Sequence, residues 1–180
     1  MKAYLDNGAT TIVSESVVEK MNQAFTEVYG NPSSMHHMGV EAEKMIKQSK
    51  KIIAKCIKGT PEEILFTSGG TEANNLAIQG FLNHSSCRKK EIITSEIEHP
   101  SVLSVFQKYE ESGYKVIYLK VNDKGLISLS DLEEALSDET ALVSIMHVNN
   151  EIGTIQDLSA ISKLLKRSLM LFSMWMPCKH

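Results

Sequence analysis

Thr67-Ser68-Gly69-Gly70-Thr71-Glu72-Ala73-Asn74-Asn75 is the stretch on which the reading of the chain turns. The apolar run Ile64-Leu65-Phe66 stops at its small residues, and a helix-compatible run, Thr71 to Phe81, follows at once. A strand, a glycine turn and a helix start make an anion site. The first helical N–H groups lack intrahelical partners, and the helix dipole adds positive potential there. Gly69 and Gly70 allow a tight turn and close backbone approach to a ligand. Ser68 and Thr71 offer hydroxyls that either cap the helix or bind phosphate. An ordinary capped turn fits the local pattern as well as an anion site does. The stretch is neither GxGxxG nor GxxxxGK(S/T), which argues against a dinucleotide site and a P-loop.

Around this stretch lie 180 residues, enough for one domain with a real core. A charged share of 23% and a hydrophobic share of 42% place the chain among ordinary globular proteins. The net charge of −3 gives no reason to expect nucleic acid or an anionic membrane as partner. No apolar run is long enough to span a bilayer. Met1 to Asp6 contains no apolar signal region, so a cytoplasmic location is expected. Cys56, Cys87 and Cys178 are widely spaced and odd in number, which suggests neither a disulfide framework nor a CxxC metal knuckle. Cys56 reads as a packing residue. His36, His37 and His84 read as surface or capping residues, and no metal spacing connects them.

Before the decisive stretch, Tyr4-Leu5 leads into a polar turn, Asp6 to Thr11. A helix is predicted from Ser14, a candidate N-cap, to about Tyr29, with Val17, Val18, Met21, Ala24, Phe25 and Val28 as its apolar stripe. Gly30-Asn31-Pro32-Ser33-Ser34 breaks it. A second long helix runs to near Gly59, with Ala42, Met45, Ile46, Ile52, Ile53 and Cys56 on its buried side. After the decisive stretch, strands are predicted at Glu91 to Ser95, Lys115 to Leu119 and Ala141 to Val148, with Ile64 to Phe66 as the first of the series. Helices are predicted from Pro100 to Ser112, from a capping box of Ser130 and Glu133, and from Asp157 to Arg167. This alternation implies an α/β fold, a mainly parallel sheet covered on both faces. Ligands bind such sheets outside the carboxyl ends of the strands. Three polar loops fall there: Ser68 to Thr71, Glu96 to His99 and His147 to Glu151.

Five motifs, in order, resemble the cysteine desulfurases of the class V aminotransferase group, which use pyridoxal 5'-phosphate (PLP). They are Tyr4 to Thr11 (YLDNGATT), Gly30 to Ser34 (GNPSS), Phe66 to Asn75 (FTSGGTEANN), Glu96 to Val102 (EIEHPSV) and His147 to Thr154 (HVNNEIGT). The resemblance runs to about Leu165 and covers the N-terminal half of such an enzyme. It implies a fold type I PLP-dependent transferase: a truncated large-domain sheet preceded by N-terminal helices. Residues 1–59 would be an N-terminal loop and helices, and 60–167 part of the PLP-binding domain; in 168–180 no helix or strand period fits well, and the run is read as an aberrant, non-native tail in preference to a buried terminal strand. Gly70 and Thr71 resemble the residues that hold the PLP phosphate. His99 resembles the catalytic histidine stacked on the pyridine ring, and Asn150 the asparagine near the cofactor's phenolic oxygen. Asn7, Ala9 and Thr10 resemble the loop bordering the substrate. No metal is implied. The family activity is removal of sulfur from L-cysteine, giving alanine and an enzyme persulfide. That sulfur passes to an acceptor protein for iron–sulfur clusters or other uses, and such enzymes are homodimers.

The sequence departs from the family after Arg167. A strand carrying His-Val-Asp-Ala-x-Gln is expected there, and its aspartate pairs with the pyridine nitrogen. Leu171 to Met176 offers neither Asp nor Gln, which suggests a reading-frame change. The Schiff-base lysine, the loop cysteine and the carboxylate-binding arginine all belong to the later half. Cys178 and Lys179 stand at the end of the given sequence, not on a placed loop, and are not expected to take those roles, which call for fixed geometry. The expectation is a truncated, inactive form of the enzyme. Alternatives are a selenocysteine lyase or another class V enzyme, and a non-catalytic fragment that binds full-length subunits. Borohydride reduction with PLP followed by peptide mapping should therefore find no single modified lysine. One reproducibly modified lysine would overturn that expectation.

Overall fold

The structure is a computed structural model and describes residues 3–84 and 88–165 and the backbone of residues 172–174. Two compact units divide at Ile12 and Ser68: residues 12–67 form one, and residues 1–11 with 68–180 the other. The sequence reading divides the chain at residue 60 instead.

In the first unit, α1 (Glu15–Thr26) starts after Ser14, and α2 (His37–Ile57) starts after His36, whose Nδ1 accepts the Gly39 N–H at 3.4 Å. Lys58, in the left-handed region at φ 58°, ends α2 by turning its N–H back to Ala54 and Lys55. The helices stand where periodicity put them, but their apolar faces are not covered as expected. No α1 residue is buried, and Val17, Val18, Met21 and Phe25 are exposed. On α2 only Gly39, Ala42 and Ala54 are buried; Ile46, Ile52, Ile53 and Cys56 are exposed. Periodicity fixes which face of a helix is apolar, not whether anything lies against it. Ile64 to Phe66 is also corrected. A short 3₁₀ turn, Pro61–Glu63, leads into extended backbone without a strand partner, and Leu65 and Phe66 are exposed.

The second unit is a parallel sheet with helices on both faces. β1 (Glu91–Ser95), β2 (Lys115–Leu119), β3 (Thr140–Ser144) and β4 (Phe172–Met174) lie in the order β2-β1-β3-β4, every neighbouring pair parallel. Alternation along the strands splits the core. Ile92 and Leu142 face α3 (Gly70–Leu82) and α4 (Pro100–Glu111), meeting Ile78, Val102 and Phe106. Ile93 and Val143 face the other way, toward α5 (Leu129–Ala135) and α6 (Leu158–Leu165), meeting Leu132 and Ile161. All five residues of β1 and of β3 are buried, as a strand covered on both faces requires.

Boundary differences have local causes. β3 ends at Ser144, not Val148, because Val148 turns to bridge Ile155 in an antiparallel hairpin. α5 starts two residues before the expected capping box. Ser128 accepts the Asp131 N–H at 3.2 Å, so Asp131 takes the place assigned to Glu133. β4 lies inside the run read as an aberrant tail, and residues 172–174 extend the sheet beside β3. Cys87, the expected helix end at Arg167, and the tail residues 168–171 and 175–180, Cys178 and Lys179 among them, lie outside the described residues. No helix among the described residues is long and apolar enough to cross a membrane.

At the start of the strands Glu91 ties three elements together. Its Oε2 meets Lys115 Nζ at 2.6 Å, and its Oε1 accepts the hydroxyls of Ser137 and Thr140, each at 2.7 Å. Burial pushes its carboxyl up, but the bonds from Lys115, Thr140 and Ser137 and the Lys115 charge outweigh it and hold it below the usual carboxylate range. The stabilisation is present above the ordinary carboxylate range and is lost as pH falls through the folded value. Glu91→Ala should cost roughly 2–4 kcal/mol near neutral pH, since it removes the acceptor of the Ser137 and Thr140 hydroxyl protons and the partner of Lys115. Urea midpoints should show this gap narrowing in acid, whereas an unchanged gap would contradict the ionic contribution.

Candidate cofactor site

Two strands set the place of the site. From β1 the chain crosses through α4 to β2 on one side, then returns through α5 to β3 on the other. The carboxyl ends of β1 and β3 therefore flank a point where connections diverge, the usual ligand crevice of such sheets. The loop after β1 delivers His99, and the loop after β3 delivers Asn150.

The α3 N-terminus presents unladdered backbone amides, as every helix start does. Ala73 N–H closes the first helical turn on the Gly69 carbonyl, which leaves the Gly70 and Thr71 amides outside the ladder. Gly69 has an extended backbone (φ 165°) that any residue adopts. Packing does not require glycine at either position: a Cβ on Gly69 or Gly70 would meet nothing within 4 Å, so the helix start has open space beside it. Ser68, read as a possible phosphate hydroxyl, is otherwise engaged. Its N–H and its hydroxyl both donate to Glu72 Oε2, at 2.6 and 2.7 Å. The hydroxyl bond from Ser68, followed by the backbone bond from the same residue, holds the exposed Glu72 carboxyl below the usual range. Glu72 thus fixes the entry to the helix, and the Thr71 hydroxyl remains for a ligand.

His99 is the N-cap of α4, and its orientation is determined. Its Nδ1 accepts the Ser101 N–H at 3.1 Å and lies 2.8 Å from Ser101 Oγ. Asn74 Nδ2 donates to that same oxygen at 2.8 Å. The Ser101 N–H makes Nδ1 an acceptor, which assigns the Ser101 hydroxyl as a second donor to it and the ring's own N–H to Nε2. Thr71 and His99 line one groove of about 380 Å3 between α3 and α4, together with Asn75, Ser101 and Lys108. Gly70 and Asn150 do not line it.

Asn150 sits at the tip of the hairpin after β3, where its Nδ2 donates to Glu151 Oε1 at 2.8 Å. The N-terminal loop passes directly over it: a Cβ on Gly8 would run into the Asn150 carbonyl oxygen. Asn7, Ala9 and Thr10 are thereby brought beside Asn150, in a turn closed by the Ala9 and Thr10 N–H groups on the Asp6 carbonyl. Asn7 Nδ2 reaches the Tyr4 carbonyl at 3.2 Å. Among the described residues no group of His, Cys, Asp and Glu side chains could hold a metal ion.

These positions fit PLP. Gly70 and Thr71 amides outside the helix ladder, with open space beside Gly70, suit the phosphate. A histidine oriented through its Nδ1 and an asparagine at the tip of the neighbouring hairpin suit a flat polar ring.

Two further residues support this site. Asn149, one place before Asn150, donates to the Ile97 carbonyl at 3.1 Å. Glu98, one place before His99, is buried at 4% exposure. Its Oε1 accepts the Met146 N–H at 2.7 Å and the Ser95 hydroxyl at 2.9 Å, while its Oε2 has no hydrogen-bond partner among the described residues. The signal was a glutamate in a run that must turn inward at a strand end. Burial pushes the Glu98 carboxyl up to about 7, against the opposing pull of the Met146 and Ser95 donors. Between the ordinary carboxylate value and this one, the folded chain keeps a proton that the unfolded chain has lost. Stability from this group is full below that window and falls by roughly 3 kcal/mol as pH rises through it. Denaturant titrations of the parent and Glu98→Gln should differ in slope across that window alone. Parallel curves would contradict the burial argument.

The Aminotransferase class-V family profile matches residues 3–174. Cysteine desulfurase IscS of Dictyoglomus turgidum is 45% identical over 165 residues, which cover 92% of this chain and 42% of that protein. The mitochondrial cysteine desulfurase of Candida albicans is 45% identical over 170 residues, covering 94% of this chain and 35% of that protein. Among solved structures, a NifS-like protein superposes with a TM-score of 0.95 at 36% identity, covering 100% of this chain and 50% of that one. SspA in complex with cysteine superposes with a TM-score of 0.88 at 38% identity, covering 96% and 50%. The chain thus spans about half the length of the proteins it matches, and it belongs to the class V aminotransferase family.

Proposed function

We propose that this chain is the phosphate-anchoring half of a PLP-dependent cysteine desulfurase. The observation that carries the reading is the open N-terminus of α3, with Thr71 and His99 lining one groove. The Gly70 and Thr71 amides and the Thr71 hydroxyl hold the cofactor phosphate, an anion at a helix N-terminus. His99, held through Nδ1 by Ser101 and Asn74, would stand against the pyridine ring with its Nε2–H on the free side. That proton is available to an acceptor on the cofactor or substrate. Asn150 takes the side of the phenolic oxygen. Asn7, Ala9 and Thr10 form the wall that borders the substrate, in a loop that passes close to the Asn150 carbonyl at Gly8. When bound, the cofactor supplies an electron sink for an amino-acid substrate.

L-Cysteine is the substrate class favoured by the comparisons. Relatives at 44–48% identity are cysteine desulfurases, and one structural neighbour is described in complex with cysteine. In the complete enzyme the sulfur would leave through a persulfide to an acceptor protein, within a homodimer, to supply iron–sulfur clusters or other sulfur uses. Both the activity and the acceptor belong to that complete enzyme.

Titration of the chain with PLP and with pyridoxal, which lacks the phosphate, tests the reading. PLP should bind the more tightly. Thr71→Ala should weaken PLP by about 10-fold, the loss of one hydrogen bond to a charged group, and leave pyridoxal unchanged. Equal affinity for the two compounds would sink the phosphate assignment.

A further inference from the structure

The residues one place ahead of His99 and Asn150 reach into each other's loops. Glu98 lies on the loop after β1, and its Oε1 takes the Met146 N–H at 2.7 Å on the loop after β3. Asn149 lies on the loop after β3, and its Nδ2 donates at 3.1 Å to the Ile97 carbonyl on the loop after β1. Each link is also anchored at home. Glu98 Oε1 takes the Ser95 hydroxyl at 2.9 Å, and Asn149 Oδ1 accepts the N–H groups of Glu151 and Ile152 at 2.9 and 3.0 Å. Both residues are buried, at 4% and 7% exposure.

These bonds take over where the sheet ends. The β1–β3 ladder stops at Thr94 and Ser144, where the Thr94 hydroxyl donates to the Ser144 carbonyl at 2.9 Å. Past that point strand pairing no longer sets the distance between the two loops. A buried carboxyl with one unpartnered oxygen is a poor device for stability alone, because an apolar replacement avoids its desolvation. A carboxyl oxygen accepting two donors does, however, fix both donors in direction.

We propose that Glu98 and Asn149 form a reciprocal clasp that sets where His99 stands relative to Asn150, making both of them positioning residues for the cofactor site. The inference rests on reading His99 and Asn150 as ligand contacts. Glu98 acts through its Oε1 as an acceptor, a role that neither the second oxygen nor the charge is needed for. Glutamine keeps that acceptor and alanine removes it, so the two substitutions part the clasp from the charge.

Amide hydrogen exchange on the whole chain, without ligand, reads the clasp directly. Glu98→Ala should speed exchange at Met146 and across Asn149 to Ile152 by about 10-fold, while Ile92 and Leu142 in the strands change little. Glu98→Gln should restore the parent rates. Asn149→Ala should loosen the same segment, and it carries the test if Glu98→Ala does not fold. A uniform rise across the sheet, no rise at all, or a Gln variant as loose as the Ala variant would each overturn the clasp. A second arm reads the ligand through the visible circular dichroism induced in bound PLP. Asn149→Ala should lower that signal per bound cofactor by about 5-fold and keep the phosphate-dependent affinity, since the cradle at α3 is untouched. An unchanged signal would also overturn the proposal. If the parent chain binds no PLP, the ligand reading fails, while the exchange arm still decides the clasp.

Discussion

The constraint on which the rest depends is the end of a parallel ladder. β1 and β3 are fully buried neighbours, held in register from Ile92 to Thr94 and from Leu142 to Ser144. Burial on both faces forces apolar side chains along the strands, so polar chemistry can collect only at their ends. The connections leave β1 toward β2 on one side and come back to β3 on the other, which opens a crevice between the two carboxyl ends. The His99 and Asn150 loops border that crevice, and the N-terminal loop closes over Asn150 at Gly8. α3 packs on the same face as α4, which brings Thr71 to the groove that His99 lines.

Electrostatics at the two ends of the sheet differ for the same physical reason. At the amino end, Glu91 has an exposed lysine and two hydroxyls within 2.7 Å, and these outweigh its burial. At the carboxyl end, Glu98 has two neutral donors on one oxygen and none on the other, and burial prevails. Both are buried glutamates on the ends of β1, and their partners decide the direction of the shift. The first behaves as a structural ion pair, whereas the second sits where a ligand-binding loop must be aimed.

Much of this was legible in the residues. Strands β1 and β2 stand at the predicted bounds, because unbroken β-branched runs admit little else. The glycine stretch at Gly69 and Gly70 marked the helix start of α3. His99-Pro100 marked that of α4, since proline fits the first helical position. Other features depended on tertiary partners that local pattern does not carry. Ile64 to Phe66 has the composition of a strand, but pairing needs a neighbour. The α1 stripe has the right period, yet no residue of that helix is buried. Glu98 and Asn149 escaped notice because each is important through a residue about 50 positions away in sequence, in the bonds to Met146 and Ile97. The family motifs drew attention to His99 and Asn150, and the residues that aim them stood one place ahead.

A crystal structure of the chain soaked with PLP tests the central claim most directly. The account predicts phosphate density at the α3 N-terminus, within hydrogen-bond distance of the Gly70 and Thr71 amides and the Thr71 hydroxyl, with the ring against His99. Phosphate density at any other place on the chain, with the α3 N-terminus filled by solvent, would contradict it.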